Sequence, residues 1–214
     1  IGVSNFAEPT LSSLDEALDR YEQLAIESTC QVLAKVWEGG VDGPRLVLVN
    51  RPEHVMRDSL FDALSKSLRR AHVVREHTTD ATRPVDLHIS WTGSPAEAII
   101  EIKWLGNAMK EPGKTGLTTY RAKRAQEGAD QLADYLDRKK STGVDDMRSG
   151  YLVVFDARRK NVKDPSTRLS RTDALAFEHE ALAYSPDHSA SRRDFAPPRR
   201  FFLRPRESAF LEAA

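Results

Sequence analysis

The sequence predicts an α/β fold: a central mixed β-sheet flanked by helices, with a long N-terminal helix in front of it. Three observations predict it. The apolar period is helical at first, becomes alternating or continuous between Ala71 and Leu105, and turns helical again before a last apolar run, GYLVVFD, at 150–156. A helical stretch between two apolar strands is a crossover, which sets the later strand parallel to one of the earlier ones. With 214 residues, 40% of them apolar, the chain can bury a sizeable core as one globular domain.

Each element follows from local signals. Ser13-Leu14-Asp15-Glu16 is a capping-box pattern, and Leu14, Leu18, Tyr21, Ala25, Ser28 and Val32 recur at steps of four and three, predicting a helix to about Trp37, closed by Gly39 and Gly40. RLVLV at 45–49 reads as a short strand. Asn50-Arg51-Pro52 opens a second helix, with Val55, Leu60, Leu64 and Leu68 on its buried side. AHVVREH (71–77), VDLHISW (85–91) and 96–105 form a three-strand meander, with Gly93-Ser94-Pro95 as a turn. A Lys- and Gly-rich loop, 106–116, precedes a helix expected over 117–140. GYLVVFD is a strand of the kind buried on both faces. Later signals are weak: a helical reading at 173–182, a loop at 185–198 and a short strand at 201–203. The chain divides into an N-terminal helical segment (1–44), a core (45–160) and a basic extension packed on or next to it (161–214).

Composition limits the function classes. Lys plus Arg and Asp plus Glu both total 32, so any attraction for a polyanion must be local. The single Cys30 excludes an internal disulfide and a cysteine zinc site, and suits a reducing compartment. The six histidines lack HxH or HxxxH spacing, which argues against a histidine zinc site. His88 shares a strand face with Asp86 and reads as a half-buried histidine. No nucleophile-elbow serine or cysteine occurs, and Gly113-Lys114-Thr115 lacks the rest of a phosphate loop. No apolar run is long enough for a membrane span and no leader opens the chain, so the expectation is a cytoplasmic protein. Because it begins at Ile1, the chain reads as a piece of a longer polypeptide, with further domains or a homo-oligomer as expected partners.

The chemistry lies in AIIEIKWLG, 98–106. Glu101 and Lys103, two apart, leave the same face of a strand whose neighbours are apolar. An unpaired acid there costs several kcal/mol if desolvated. The hairpin geometry can bring Asp86, mid-strand on the preceding run, beside Glu101, and two crowded carboxylates call for a divalent cation. Such a cation activates water and grips a scissile phosphate, while Lys103 stabilises hydroxide or the developing charge.

Pro84-Val85-Asp86 followed by Glu101-Ile102-Lys103, 15 residues on, resembles the PD-(D/E)xK nuclease superfamily, and Gln131 with Tyr135, four apart, resembles the QxxxY helix of its RecB-type members. Val85 separates Pro84 from Asp86, where the family usually has them adjacent. The resemblance spans about 50–156. It implies a restriction-endonuclease-like core and metal-dependent hydrolysis of DNA phosphodiesters, with Mg²⁺ held by Asp86 and Glu101 and Mn²⁺ able to substitute. Lys103 would position the attacking water, and Gln131 and Tyr135 would orient the lysine and the substrate. The family often adds a glutamate on the preceding helix as a metal ligand; Glu53 matches, Asp58 competes, and Glu76 reads as a surface charge. From 103 to 140 there are nine basic residues against five acids, and Lys110, Lys114, Arg121, Lys123 and Arg124 are the expected DNA contacts. The six arginines of 191–206, against Asp194 alone, are a second basic run and a second expected phosphate-contacting segment. By family analogy the chain would be an effector of a bacterial defence or restriction system. The alternatives are a catalytically inactive nuclease-fold module for nucleic-acid binding or assembly, or an RNA-directed nuclease.

Overall fold

The computed structural model describes residues 11–77, 85–140 and 148–211. Five α-helices and six strands are assigned among them: α1 (Leu11–Ile26), α2 (Glu53–Ser67), β1 (Ala71–His77), β2 (Val85–Trp91), β3 (Glu97–Met109), β4 (Leu117–Tyr120), α3 (Lys123–Lys140), β5 (Arg148–Ala157), α4 (Arg171–Ala174), α5 (His188–Ser191) and β6 (Arg199–Phe202). The sheet is mixed, in the order β1-β2-β3-β5-β6, with β4 also paired to β3. β1, β2 and β3 form the antiparallel meander, β5 runs parallel to β3 after the α3 crossover, and β6 adds parallel to β5.

Strand alternation decides which layer each side chain enters. Ala98, Ile100, Ile102 and Trp104 of β3 join Leu87 and Ile89 of β2, Phe155 of β5, and Leu14, Leu18, Met56 and Leu60 of α1 and α2 in the larger core. Ile99 and Leu105 point the other way, against Ala129, Leu132 and Leu136 of α3. β3 is therefore covered on both faces, and Glu101 and Lys103 lie on the α3 side.

Several sequence expectations are corrected. The first helix ends at Ile26. Ser28 takes φ 46°, its N–H bonds Ala25 O, and Thr29 N–H reaches back to Leu24 O, the paired bonds of a Schellman ending. Its apolar rhythm runs on because Leu33, Val36 and Trp37 are buried from a separate 3₁₀ turn. The helix is already formed at Leu11, so Ser13 lies inside it. The 45–49 run forms isolated bridges and no ladder: Leu48 faces Trp37 and Ala108, Val47 O accepts the Glu38 N–H and Val49 N–H reaches Val36 O, while Pro44 has no N–H and Arg45 sits at φ 60°. Part of the expected loop is strand: β3 continues to Met109 and Leu117–Tyr120 returns along it, so the third helix starts at Lys123. Thr118, Thr119 and Tyr120 prefer extended backbone and a half-buried edge. Between 173 and 182 only the one-turn α4 is helical, capped by Ser170.

The arginines at 191–206 fasten the chain's end to its body. Arg192 pairs with Asp137 and Asp194, Arg199 with Asp15 and Asp19, Arg200 with Asp156, Arg204 with Glu27 and Glu178, and Arg206 with Asp42. Five of the six are thus engaged within the chain, and Asp156, fully buried, also receives Arg158 at 2.8 Å.

Candidate active site

The site forms where β2 and β3 part. Their register ends at Leu87↔Ile100, and one further step would set Asp86 opposite Glu101. Instead the Asp86 carboxylate replaces the missing ladder partner: its Oδ2 accepts the Ile102 N–H at 2.8 Å. That bond fixes the acid beside Glu101 and on the same sheet face. Asp86 has 16% of its side chain exposed, and Arg57 Nη1 of α2 lies 3.8 Å from Oδ1.

Glu101 and Lys103 are 2% and 5% exposed and bonded to each other, Lys103 Nζ donating to Glu101 Oε1. The same ammonium donates to Gln131 Oε1 at 3.4 Å and lies 4.0 Å from Glu53 Oε1. Gly128 lets the lysine through: a Cβ there would stand 2.5 Å from Lys103 Cγ and 3.0 Å from Leu152 Cδ1. Only a glycine at that helix position leaves room for the stem.

Burial and crowding set the electrostatics. Burial pushes the Asp86 carboxyl up to about 6, against the pull of the Ile102 N–H, and Glu53 adds to the rise. Burial, then the Asp86 charge, pushes Glu101 up to about 7, although Lys103 draws it down. Asp86 thus raises Glu101, and Glu53 raises both, the signature of a cleft floor locally short of positive charge.

The cluster forms the floor of a cleft of about 910 Å³. Asn50, Arg51, His54 and Arg57 line one wall, Lys110, Lys114 and Tyr120 the other, with Arg124 of α3 beyond. Arg51, Arg57, Lys103, Lys110, Lys114 and Arg124 bring six cations against the four carboxylates Glu53, Asp86, Glu101 and Glu111. A chain of zero net charge thus has a basic cleft. Arg124 stacks its guanidinium 4.8 Å from the Tyr120 ring centre, and Tyr120 meets Trp104 edge-on at 4.6 Å.

The structure brings Glu53, Asp86, Glu101, Lys103 and Gln131 together at this cleft, with Lys110, Lys114 and Arg124 on its lining. Tyr135 is 6% exposed, packs in the α3 core with Leu132 and Leu152, and does not line the cleft. Arg121 and Lys123 are exposed outside it. Asp58 turns outward to Arg75 at 2.7 Å, which leaves Glu53 as the α2 acid at the site. His88 bonds Glu97 at 3.4 Å, away from the cleft. Pro84 and the Glu76 side chain lie outside the described residues. Sequence reasoning missed Arg57, although it sits four after Glu53 and so on the same helix face, and it missed Gly128, a glycine inside a helical pattern.

Among the described residues no three His, Cys, Asp or Glu side chains form a ready metal cage. Asp86 and Glu101 are the two acids whose chemistry invites a cation, and Mg²⁺ commonly binds through one or two carboxylates with water and substrate phosphate completing its shell. No family model, no curated protein and no solved structure matches this chain.

Proposed function

We propose that the protein is a metal-dependent nuclease that hydrolyses DNA phosphodiester bonds, on a core of the restriction-endonuclease-like type. The observation that carries the reading is the convergence of Asp86, Glu101 and Lys103 on one sheet face at the floor of a basic cleft. Asp86 and Glu101, with Glu53 beside them, are the groups to hold Mg²⁺ or Mn²⁺. When bound, the ion supplies Lewis-acid polarisation of the scissile phosphate and an acidified water. Lys103, steered by Glu101 and Gln131, would present an ammonium to the attacking water and to the charge that builds on the phosphoryl oxygens. Tyr135 braces α3 from the core side. Lys110, Lys114 and Arg124 would receive backbone phosphates on the cleft lining. A three-strand meander, a crossover helix and a parallel strand in that order support the family resemblance. A place among bacterial defence or restriction effectors would suit such an activity.

Incubation of the protein with plasmid, single-stranded DNA and RNA, in Mg²⁺, Mn²⁺ or EDTA, tests the proposal. DNA cleavage that requires the metal and falls by at least about 10³-fold in Lys103→Ala and Asp86→Ala is the expected result. Equal cutting by either variant overturns it, cleavage confined to RNA moves the substrate class, and binding without cutting marks an inactive module.

A further inference from the structure

The mouth of the cleft holds an acid that the proposed chemistry does not use. Glu111, in the turn between β3 and β4, accepts from two cations at once: Arg51 Nη2 reaches Oε1 at 3.0 Å and Lys114 Nζ reaches Oε2 at 3.0 Å. The cations come from different elements, Arg51 from the loop before α2 and Lys114 from the turn itself. They hold the Glu111 carboxyl below the usual range, Lys114 first and Arg51 next.

The reach across the cleft is built into the backbone. Leu48 N–H donates to Asn107 O and Met109 N–H to Leu48 O, both at 2.8 Å, while Asn50 Nδ2 donates to Met109 O at 3.1 Å. These bonds seat the loop before α2 on the end of β3. Arg51 itself lies at φ 51°, a left-handed conformation that glycine or asparagine adopts with less strain. A strained position is thus filled by an arginine aimed at the opposite turn.

We propose that Glu111 is the resident anion of a backbone-phosphate subsite: Arg51 and Lys114 bind a nucleic-acid phosphate beside the cleavage position, and the carboxylate holds both cations until that phosphate displaces it. This rests on the nuclease reading, which supplies the polyanion. A carboxylate and a phosphodiester offer the same pair of anionic oxygens to a guanidinium. The pairs are exposed, Arg51 by 77%, Glu111 by 47% and Lys114 by 67%, so water screens them and displacement is easy. Before displacement Glu111 also sets a negative charge against the incoming strand.

Fluorescence anisotropy of a labelled DNA duplex in EDTA, where cleavage is off, reads the effect. Glu111→Gln should tighten binding about three- to ten-fold at low salt. Glu207→Gln removes the same charge from an exposed pair with Arg171 at 2.9 Å outside this cleft, and should change affinity by less than about two-fold. Adding Arg51→Ala to Glu111→Gln should abolish the gain. The subsite is overturned if Glu111→Gln binds no tighter than Glu207→Gln, or if the gain survives Arg51→Ala. A parent protein that neither binds nor cuts nucleic acid removes the nuclease reading and this inference with it, whereas a parent that does so without the Glu111 effect removes the inference alone.

Discussion

Replacing Asp86 by asparagine tests whether the site is short of positive charge. Asparagine keeps a carbonyl oxygen for the Ile102 N–H that Asp86 receives at 2.8 Å, so the parting of β2 and β3 is preserved. In the parent, burial raises the Asp86 carboxyl from 3.8 to about 6. The folded state therefore holds that proton more tightly than the unfolded chain, and stability is lost as pH rises through this window and stays lost above it. At 1.36 kcal/mol per unit the stability cost of this shift is on the order of 1–2 kcal/mol at pH 5, where the folded carboxyl still holds its proton, and about 3 kcal/mol at pH 8. Asp86→Asn removes that cost, and Glu101, no longer facing a second carboxylate, drops from about 7. For a chain of 214 residues the gain at pH 8 corresponds to a rise in Tm of about 6–12 °C. Urea and thermal unfolding followed by circular dichroism at pH 5 and pH 8, with chelator present, measure it. A gain that is the same at both pH values, or a loss at pH 8, refutes the reasoning. Millimolar Mg²⁺ should then stabilise the parent at pH 8 and leave the variant nearly unmoved.

Gly128→Ala drives a methyl to within 2.5 Å of Lys103 Cγ, so it should cut the cleavage rate about 100-fold while DNA affinity and helix content hold, as rate and anisotropy measurements would show. Asp156→Asn leaves Arg158 and Arg200 without their fully buried partner and should cost about 3–5 kcal/mol in urea unfolding, with the site's chemistry untouched in what remains folded.

The strands β1, β2, β3 and β5 were legible because each carries its own period: alternation in VDLHISW, unbroken apolarity in GYLVVFD. Asp86, Glu101 and Lys103 were legible for the same reason, as charge interrupting a period that should have been apolar. What escaped depends on neighbours distant in sequence. The end of α1 hid behind Leu33, Val36 and Trp37, which keep its rhythm while packing from another element. β4 is four residues long and takes its meaning from β3. The arginines of 191–206 looked like a phosphate surface, yet their carboxylates lie up to 184 residues away in the chain. Arg51 joins the cleft only because Leu48 and Asn50 dock on the end of β3.

The pair Glu101–Lys103 poses the remaining physical question, since a strand can be buried more cheaply without it. Ile100, Ile102 and Trp104 hold β3 to the larger core from the opposite face, and the ladder to β5 runs unbroken from Glu97 to Leu105. On the α3 face two ions, 2% and 5% exposed, have lost most of their water, and one hydrogen-bonded contact between them offsets only part of that loss. Glu101→Leu combined with Lys103→Met keeps similar volume, leaves an apolar stem beside Gly128 and Leu152, and removes both charges together. The double variant should be more stable than the parent by about 1–4 kcal/mol in urea unfolding at neutral pH, and it should cut nothing. Truncating only the lysine should instead destabilise, because it strands the Glu101 carboxylate. A double variant less stable than the parent would mean that the ion pair is there to hold the sheet, and the case for chemistry at Glu101 and Lys103 would lose its physical basis.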